Sequence, residues 1–332
     1  MIKIGDIELS DFPLLLAPME DVSDPPFRAL CKKHGADVMY TEFISSEGLI
    51  RDAVKSVQKL DIYEYERPVG IQIFGNDIEH MKMATEITAK TNPDIIDINY
   101  GCPVKKVAGR GAGAGILQDI DKMVKMTAEI VKSTSLPVTV KTRLGWDEKT
   151  MRIVEVAERL QDVGIKAISI HGRTRKQMYK GEADWTLIAE TKNNPRLQIP
   201  VFGNGDVAGP DKAKEYKERF GVDGIMIGRG SIGYPWIFKE IKHYLQTGEY
   251  LDPPNLAERV EACKEHLKMS LDWKGDRLGI VEMRRHYSNY FKGIPGFKSY
   301  RMTLVTSFEK EELFDTLSLI AEKFGEHVFR KH

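Results

Sequence analysis

Polar residues able to do chemistry stand where several apolar segments of the chain end. Cys102 lies in Asn99-Tyr100-Gly101-Cys102-Pro103, followed by Val104-Lys105-Lys106 and by Gly109, Gly111, Gly113 and Gly115. A loop so rich in glycine is expected to bury little and to move. A thiol with a pKa near 8.5 is mostly protonated at neutral pH and can donate a proton. Cysteine is more often a small buried hydrophobe, the reading given to Cys31 and Cys263. Lys141 closes the apolar run Val138-Thr139-Val140, where an ammonium must neutralise something or form a Schiff base. Gln72 offers a donor and an acceptor to a heteroaromatic ring edge, and His171 ends another apolar run. Asn204-Gly205-Asp206 and Gly228-Arg229-Gly230 combine close backbone approach with a guanidinium fork, a phosphate cradle in kind. A cation for a ring oxygen, an amide for ring edges and a phosphate cradle suit FMN better than PLP, and the hard chemistry would be the cofactor's.

These residues need a scaffold that gathers them. Eight short apolar runs precede them: Leu14–Ala17, Val38–Thr41, Val69–Ile73, Ile95–Asn99, Val138–Lys141, Ala167–His171, Pro200–Phe202 and Gly224–Ile227. Most are nearly continuous in apolar character, as strands buried on both faces are, and a helical pattern follows each. Eight parallel strands with crossover helices predict a (β/α)8 TIM barrel, with its chemistry at the C-terminal strand ends. Those ends read Pro18-Met19, Glu42, Gln72, Asn99, Lys141 with Arg143, His171, Asn204-Gly205-Asp206 and Gly228-Arg229. A doubly wound sheet would need a phosphate fingerprint after its first strand, and Ala17-Pro18-Met19-Glu20-Asp21 is not one. Gly109 to Ala114 formally fits GxGxxA but begins too far from its strand to be a dinucleotide site.

The texture changes after Tyr250. Asp252-Pro253-Pro254 reads as a linker, and Asn255 with Glu258 as a capping pair. Three helices are expected beyond it, from 256, over about 278–292, and around Leu313, Leu317, Ile320 and Phe324. The organisation is thus a barrel over 1–245 and a small all-helical domain over 246–332. Lys plus Arg and Asp plus Glu are each 49 of 332 residues, so the chain is not uniformly basic. Three scattered cysteines exclude a disulfide scaffold and a CxxC zinc site. No apolar stretch is of signal-peptide or membrane-span length, and a soluble, cytoplasmic protein is expected, monomeric for want of an apolar seam.

Taken in order, these segments carry a resemblance. Ala17-Pro18-Met19 with Asp24-Pro25-Pro26-Phe27-Arg28, Gly70-Ile71-Gln72-Ile73-Phe74-Gly75, Asp97 to Lys106, Val140-Lys141-Thr142-Arg143-Leu144-Gly145, His171-Gly172-Arg173-Thr174-Arg175, Gly203 to Asp206 and Met226 to Gly230 are similar to the tRNA-dihydrouridine synthases, B-type in particular. Tyr100 stands where methionine is common, and Glu20-Asp21-Val22-Ser23 replaces a more usual Ala-Gly-Val/Ile-Thr; both differences could tune substrate fit. The resemblance implies FMN held by Ala17, Pro18, Met19, Gln72, Lys141, His171, Asn204, Gly205, Asp206, Gly228 and Arg229, with NADPH (or NADH) as reductant. It implies reduction of the C5–C6 bond of a tRNA D-loop uridine, with Cys102 as the acid. The uridine must leave its stack.

tRNA then needs a basic surface. Residues 284–301 hold Arg284, Arg285, Lys292, Lys298 and Arg301 with no acid, interleaved with Tyr287, Tyr290, Phe291, Phe297 and Tyr300, a mix suited to phosphate contact and stacking. Asn99, Lys105, Lys106, Arg143, Arg173 and Arg175 complete the expected tRNA contacts. Two rivals remain open: an FMN-dependent dehydrogenase of a free pyrimidine, and a non-catalytic tRNA-binding protein.

Overall fold

A computed structural model describes residues 1–329; residues 330–332, the end of the expected helical span, lie outside the described residues. A two-strand hairpin that the sequence pattern did not suggest (Lys3–Ile4 with Ile7–Glu8) precedes the barrel. The barrel strands are β1 (Leu14–Leu16), β2 (Met39–Tyr40, resumed at Ile44–Ser45), β3 (Val69–Phe74), β4 (Ile95–Tyr100), β5 (Val138–Arg143), β6 (Ala167–His171), β7 (Val201–Asn204) and β8 (Gly224–Ile227). All pair in parallel in the order β1-β8-β7-β6-β5-β4-β3-β2. A parallel bridge between Leu15 and Val38 closes the ring. Each expected strand is present to within two residues, apart from β2, which is interrupted at Thr41 to Phe43.

Alternate residues of each strand point inward, and their chemistry changes along the barrel axis. At the N-terminal end Leu15, Val38, Tyr40, Ile95, Ala167, Phe202 and Met226 form one apolar cluster. Gly70 makes room there, because a Cβ on it would lie 2.7 Å from the Tyr40 ring. One step further along the same faces come Gln72, Asp97, Thr139 and Ser169, all buried. At the C-terminal rim stand Asn99, Lys141, His171, Asn204 and Gly228. The outward residues, such as Ile71, Ile96, Ile98, Val140, Ile168, Ile170 and Ile225, pack against the helices in the main core. A strand read along its sequence therefore looks continuously apolar, although its inner face turns polar towards the mouth.

Beyond the barrel's last helix (Ile237–Thr247) four helices follow: Leu256–Lys274, Asp276–Tyr290, Lys298–Thr306 and Lys310–Phe324. The Asn255–Glu258 capping box forms as expected, with bonds of 2.7 and 3.0 Å. The Lys298–Thr306 helix was not foreseen; it buries only Leu304 fully and so shows little apolar periodicity. These helices share their own core, with Leu256, Cys263, Leu267, Tyr287, Tyr290, Leu313 and Leu317 in it. Here the expected stacking platform is corrected: Tyr287, Tyr290, Phe291 and Phe297 are buried, and no base can reach them. Tyr287 and Tyr290 continue the three- and four-residue spacing of buried Ile280 and Met283, which marks a core face.

The helices dock on the loop and helix that follow β1 and on the segments that follow β2 and β8. Phe27 lies against the rings of His266 and His286, with centroids 5.6 and 4.9 Å away. His286 Nδ1 accepts Gly233 N–H at 3.1 Å, and Trp273 Nε1–H donates to Asp61 at 2.9 Å. Lys274 bridges Asp24 and Glu282, and Arg285 binds Asp21 Oδ2 at 2.7 Å. Among the described residues no helix is long and apolar enough to cross a membrane.

Candidate active site at the barrel mouth

A cavity of about 640 Å³ opens at the C-terminal rim, within the range of small-molecule and cofactor sites. Ala17, Pro18 and Met19 line it from β1, Asn99 and Cys102 from β4, Lys141 and Arg143 from β5, and His171 from β6. Asn204, Gly205 and Asp206 line it from β7, and Gly228 and Arg229 from β8. Of the residues expected to hold a cofactor, all but Gln72 lie on this wall. Gln72 is fully buried one layer beneath: its Nε2 donates to Asp97 at 2.6 Å and its Oε1 accepts from Asn99 at 2.8 Å. A one-dimensional reading registers a polar strand end but not what its side chain is bonded to.

Cys102 is 7% exposed, and its position is fixed by the backbone rather than by its own side chain. Asn99 Oδ1 accepts the N–H groups of Gly101 and Cys102 at 2.9 and 2.8 Å, and Cys102 O accepts Ala114 N–H at 3.0 Å. The following glycines do not make a loose loop, which corrects that expectation. A Cβ on Gly115 would lie 2.2 Å from Ala108 O, and one on Gly113 would lie 3.0 Å from Cys102 Cβ. They let two turns pack face to face, and residues 112–117 are buried. Burial raises the thiol's pKa, outweighing the nearby Arg143 and Lys141 charges, so the group keeps its proton.

The remaining wall is cationic. Burial, helped by Arg143, pushes the Lys141 ammonium down to about 8, against the pull of Asp97. His171 is driven well below its ordinary value by burial and by Arg143, Lys141 and Arg173, and is neutral. Asp206, in a left-handed conformation (φ 57°), accepts from Arg173 Nη1 and Nη2 at 3.0 and 2.7 Å and from Arg229 Nη2 at 3.1 Å. Although burial opposes ionisation, those bonds and Ala183 N–H hold its carboxyl below the usual range. At Gly205 (φ 125°) a Cβ would strike Ala183 Cβ at 2.6 Å and His171 at 3.0 Å. By contrast, the nearest atoms to a Cβ on Gly228 would be Ala17 and Met19 at 3.5 Å. The donor set of one ammonium, one partly exposed guanidinium and a neutral imidazole around a glycine-lined floor fits a flat, anionic, phosphate-bearing cofactor.

The expected tRNA contacts divide. Lys105, Lys106, Lys292, Lys298 and Arg301 are exposed. Arg173 is 2% exposed and engaged with Asp206 and with the carbonyls of Lys180 and Gly181, so it is not available to an RNA phosphate. Arg143, also 2% exposed, donates to the carbonyls of Gly101, Thr174 and Met178 while lining the cavity. The Arg175 guanidinium stacks over Trp146 at 4.7 Å, and that of Arg284 over Phe308 at 4.5 Å. Tyr100, one of the departures noted, points away from the cavity and bonds Thr127 at 2.9 Å, so it does not shape the site directly. Sequence reading missed Tyr179, which lines the cavity between Arg143 and Arg229, 5.5 and 5.2 Å from its centroid. No strand periodicity marks it, because it sits on the long loop after β6.

A profile described as Dihydrouridine synthase (Dus) matches residues 15–328. tRNA-dihydrouridine synthase B of Pseudomonas putida is 40% identical over 301 residues, 90% of this chain and 88% of that one. The protein of the same name from Shewanella oneidensis is 39% identical over 288 residues, 87% and 88% of the two chains. Among solved structures, histamine dehydrogenase from Rhizobium shares the fold (TM-score 0.55, 13% identity, 78% of this chain and 49% of that one). Morphinone reductase does so as well (TM-score 0.51, 12% identity, 76% and 90%). With relatives this similar spanning both the barrel and the C-terminal helices, the chain belongs to the dihydrouridine synthase family.

Proposed function

We propose that the protein reduces the C5–C6 bond of a uridine in the D-loop of tRNA, using FMN recharged by NADPH. The observation that carries this reading is the placement of a protonated thiol and a half-buried ammonium on one wall of a single cavity, with a glycine-lined anion cradle beside them. FMN, when bound, supplies the hydride that goes to C6. Ala17 to Met19, Lys141, His171, Asn204 to Asp206 and Gly228-Arg229 would hold it, Lys141 facing its electron-rich edge and Arg229 its phosphate. Neutral His171 can donate one hydrogen bond without adding charge.

Cys102 gives its proton to C5 as hydride reaches C6, so that two hydrogens are added and the thiolate left behind is reprotonated from solvent. Arg143 and Lys141 stabilise that thiolate transiently. Asn99 Nδ2 retains one N–H beyond its bond to Gln72, a donor for a uracil carbonyl. The base must leave its stack to enter. Exposed Lys105 and Lys106 beside the thiol, with Lys292, Lys298 and Arg301 on the helices, would hold the flanking phosphates.

The purified protein would be incubated with NADPH and unmodified tRNA, and the nucleosides examined by mass spectrometry. Uridines gaining two hydrogens at one position are expected. Bound flavin and NADPH consumption without any gain would overturn the reading in favour of a small-molecule reductase.

A further inference from the structure

Beneath the cavity floor lies an ionisable group to which the reaction gives no part. Asp97, in the middle of β4, is 1% exposed. Its Oδ1 accepts the Thr139 hydroxyl at 2.5 Å and its Oδ2 accepts Gln72 Nε2–H at 2.6 Å. Gln72 Oε1 in turn accepts Asn99 Nδ2–H at 2.8 Å. Asn99 Oδ1 ends the series on the N–H groups of Gly101 and Cys102. A carboxylate only accepts and a peptide N–H only donates. Fixed at both ends, the two amides between them have one orientation that satisfies every bond.

A carboxylate at such depth is costly unless something requires it. Burial pushes Asp97 up to about 6, while the Thr139 and Gln72 bonds and the Lys141 charge favour its ionised form. Tyr40 is the other titratable group facing it. No bond of this series reaches solvent, and its far end is the backbone of Cys102.

We propose that Asp97 is a positioning residue for the proton donor: through Gln72 and Asn99 it fixes the Gly101 and Cys102 peptides and so aims the thiol. This rests on the reading of Cys102 as the acid. Displacing a reacting group by about 1 Å can cost about a hundredfold in rate, so a group three bonds away has leverage without touching substrate.

The test exchanges donors for acceptors while keeping shape, in the flavin-loaded full chain. Gln72→Glu sets a carboxylate against Asp97. A protonated Glu at 72 still donates to Asp97 and an ionised one cannot, so turnover should fall as pH rises between about 6 and 8, a slope absent from the native protein. Adding Asp97→Asn restores the order, because its Nδ2 donates to the new carboxylate while its Oδ1 still accepts from Thr139; the native pH profile should return. Asp97→Leu, which removes both acceptors, should lower turnover by about tenfold or more. Asp97→Asn alone keeps one acceptor oxygen where the carboxylate has two, so it should fall between the native protein and Asp97→Leu.

Alkylation of Cys102 by iodoacetamide, followed by peptide mass spectrometry, needs no turnover. Its rate relative to native protein at each pH should change in Gln72→Glu and recover in the double variant, with buried Cys31 and Cys263 as controls. Identical profiles for Gln72→Glu and the double variant would overturn the proposal, as would an Asp97→Leu protein unchanged in both readouts. If Asp97→Leu does not fold, the Gln72 pair decides. Should Cys102→Ala keep full turnover, the acid reading fails on its own, and the alkylation contrast still judges the chain of bonds.

Discussion

The barrel mouth and the C-terminal helices contain the same kinds of residue and arrange them in opposite ways. At the mouth the charged groups are inside: Arg143 and Arg173 are each 2% exposed, and their bonds run to carbonyls and to Asp206. In the helices the aromatics are inside, with Tyr287, Tyr290 and Phe291 in the core, while Lys292, Lys298 and Arg301 stand in solvent. A buried and fully bonded group has one position and can select one atom of a substrate. A solvated lysine has many positions and contributes charge alone. The mouth is therefore suited to choosing a bond and the helices to holding a polyanion.

The largest effect should come from the thiol. Cys102→Ala should retain flavin and lose turnover by about a hundredfold or more, read as dihydrouridine formed per bound flavin in a single turnover. Comparable turnover with and without the thiol would remove Cys102 from the chemistry. Asp206→Ala comes next, leaving the Arg173 guanidinium buried without its carboxylate. Losing the partner of a buried charge should lower stability by about 3 kcal/mol, seen as an earlier urea midpoint. A loss below about 1 kcal/mol would mean that the pair behaves as a surface bridge, and that the mouth is less rigid than its bonds suggest.

Much of this was legible in the chain. Eight apolar runs point to a barrel because each must be buried on both faces, and the polar residues at the ends of the runs, such as Asn99, Lys141 and His171, then gather at one rim. Period cannot tell what a polar side chain is bonded to. Gln72 and Arg173 look like free donors in sequence, and both are already engaged in space. The reverse error arose in the helices, where Tyr287 and Tyr290 between basic residues suggest a stacking surface and are core. The cluster of Glu20, Asp21 and Glu42 with Lys59 could not be read either, because its members come from three separate segments. Burial there pushes Glu42 up to about 7.

A smaller effect separates the two regions by pH. With Lys141 lowered to about 8 by burial, its ammonium is present below that value and lost above it. Binding of FMN to the apoprotein, followed by flavin fluorescence, should hold steady below about pH 8 and weaken by up to about tenfold per pH unit above it. Lys141→Met should bind more weakly throughout and show no such step. An unchanged step in that variant would place the titrating group elsewhere.

The smallest expected effect tests where the helices stop being a charge surface. Arg285 belongs by sequence to the same basic stripe as Arg301, yet its guanidinium bonds the carbonyl and carboxylate of Asp21 at 2.7 Å each, tying the helices to the loop after β1. Both partners are nearly half exposed, so the pair should contribute only about 0.2–1 kcal/mol. Arg285→Ala should then shift the urea midpoint slightly and leave the salt dependence of tRNA binding as it was, because no phosphate contact is lost. Arg301→Ala should do the opposite, leaving stability unchanged and reducing the slope of log affinity against log salt by about 1. The exchange Arg285→Asp with Asp21→Arg should restore only part of what either change alone removes, since the ion pair is reversed while the bond to the carbonyl of residue 21 is lost. If Arg285→Ala instead lowers the salt slope as Arg301→Ala does, the strut opens when tRNA binds and Arg285 belongs with the free charges rather than the anchored ones.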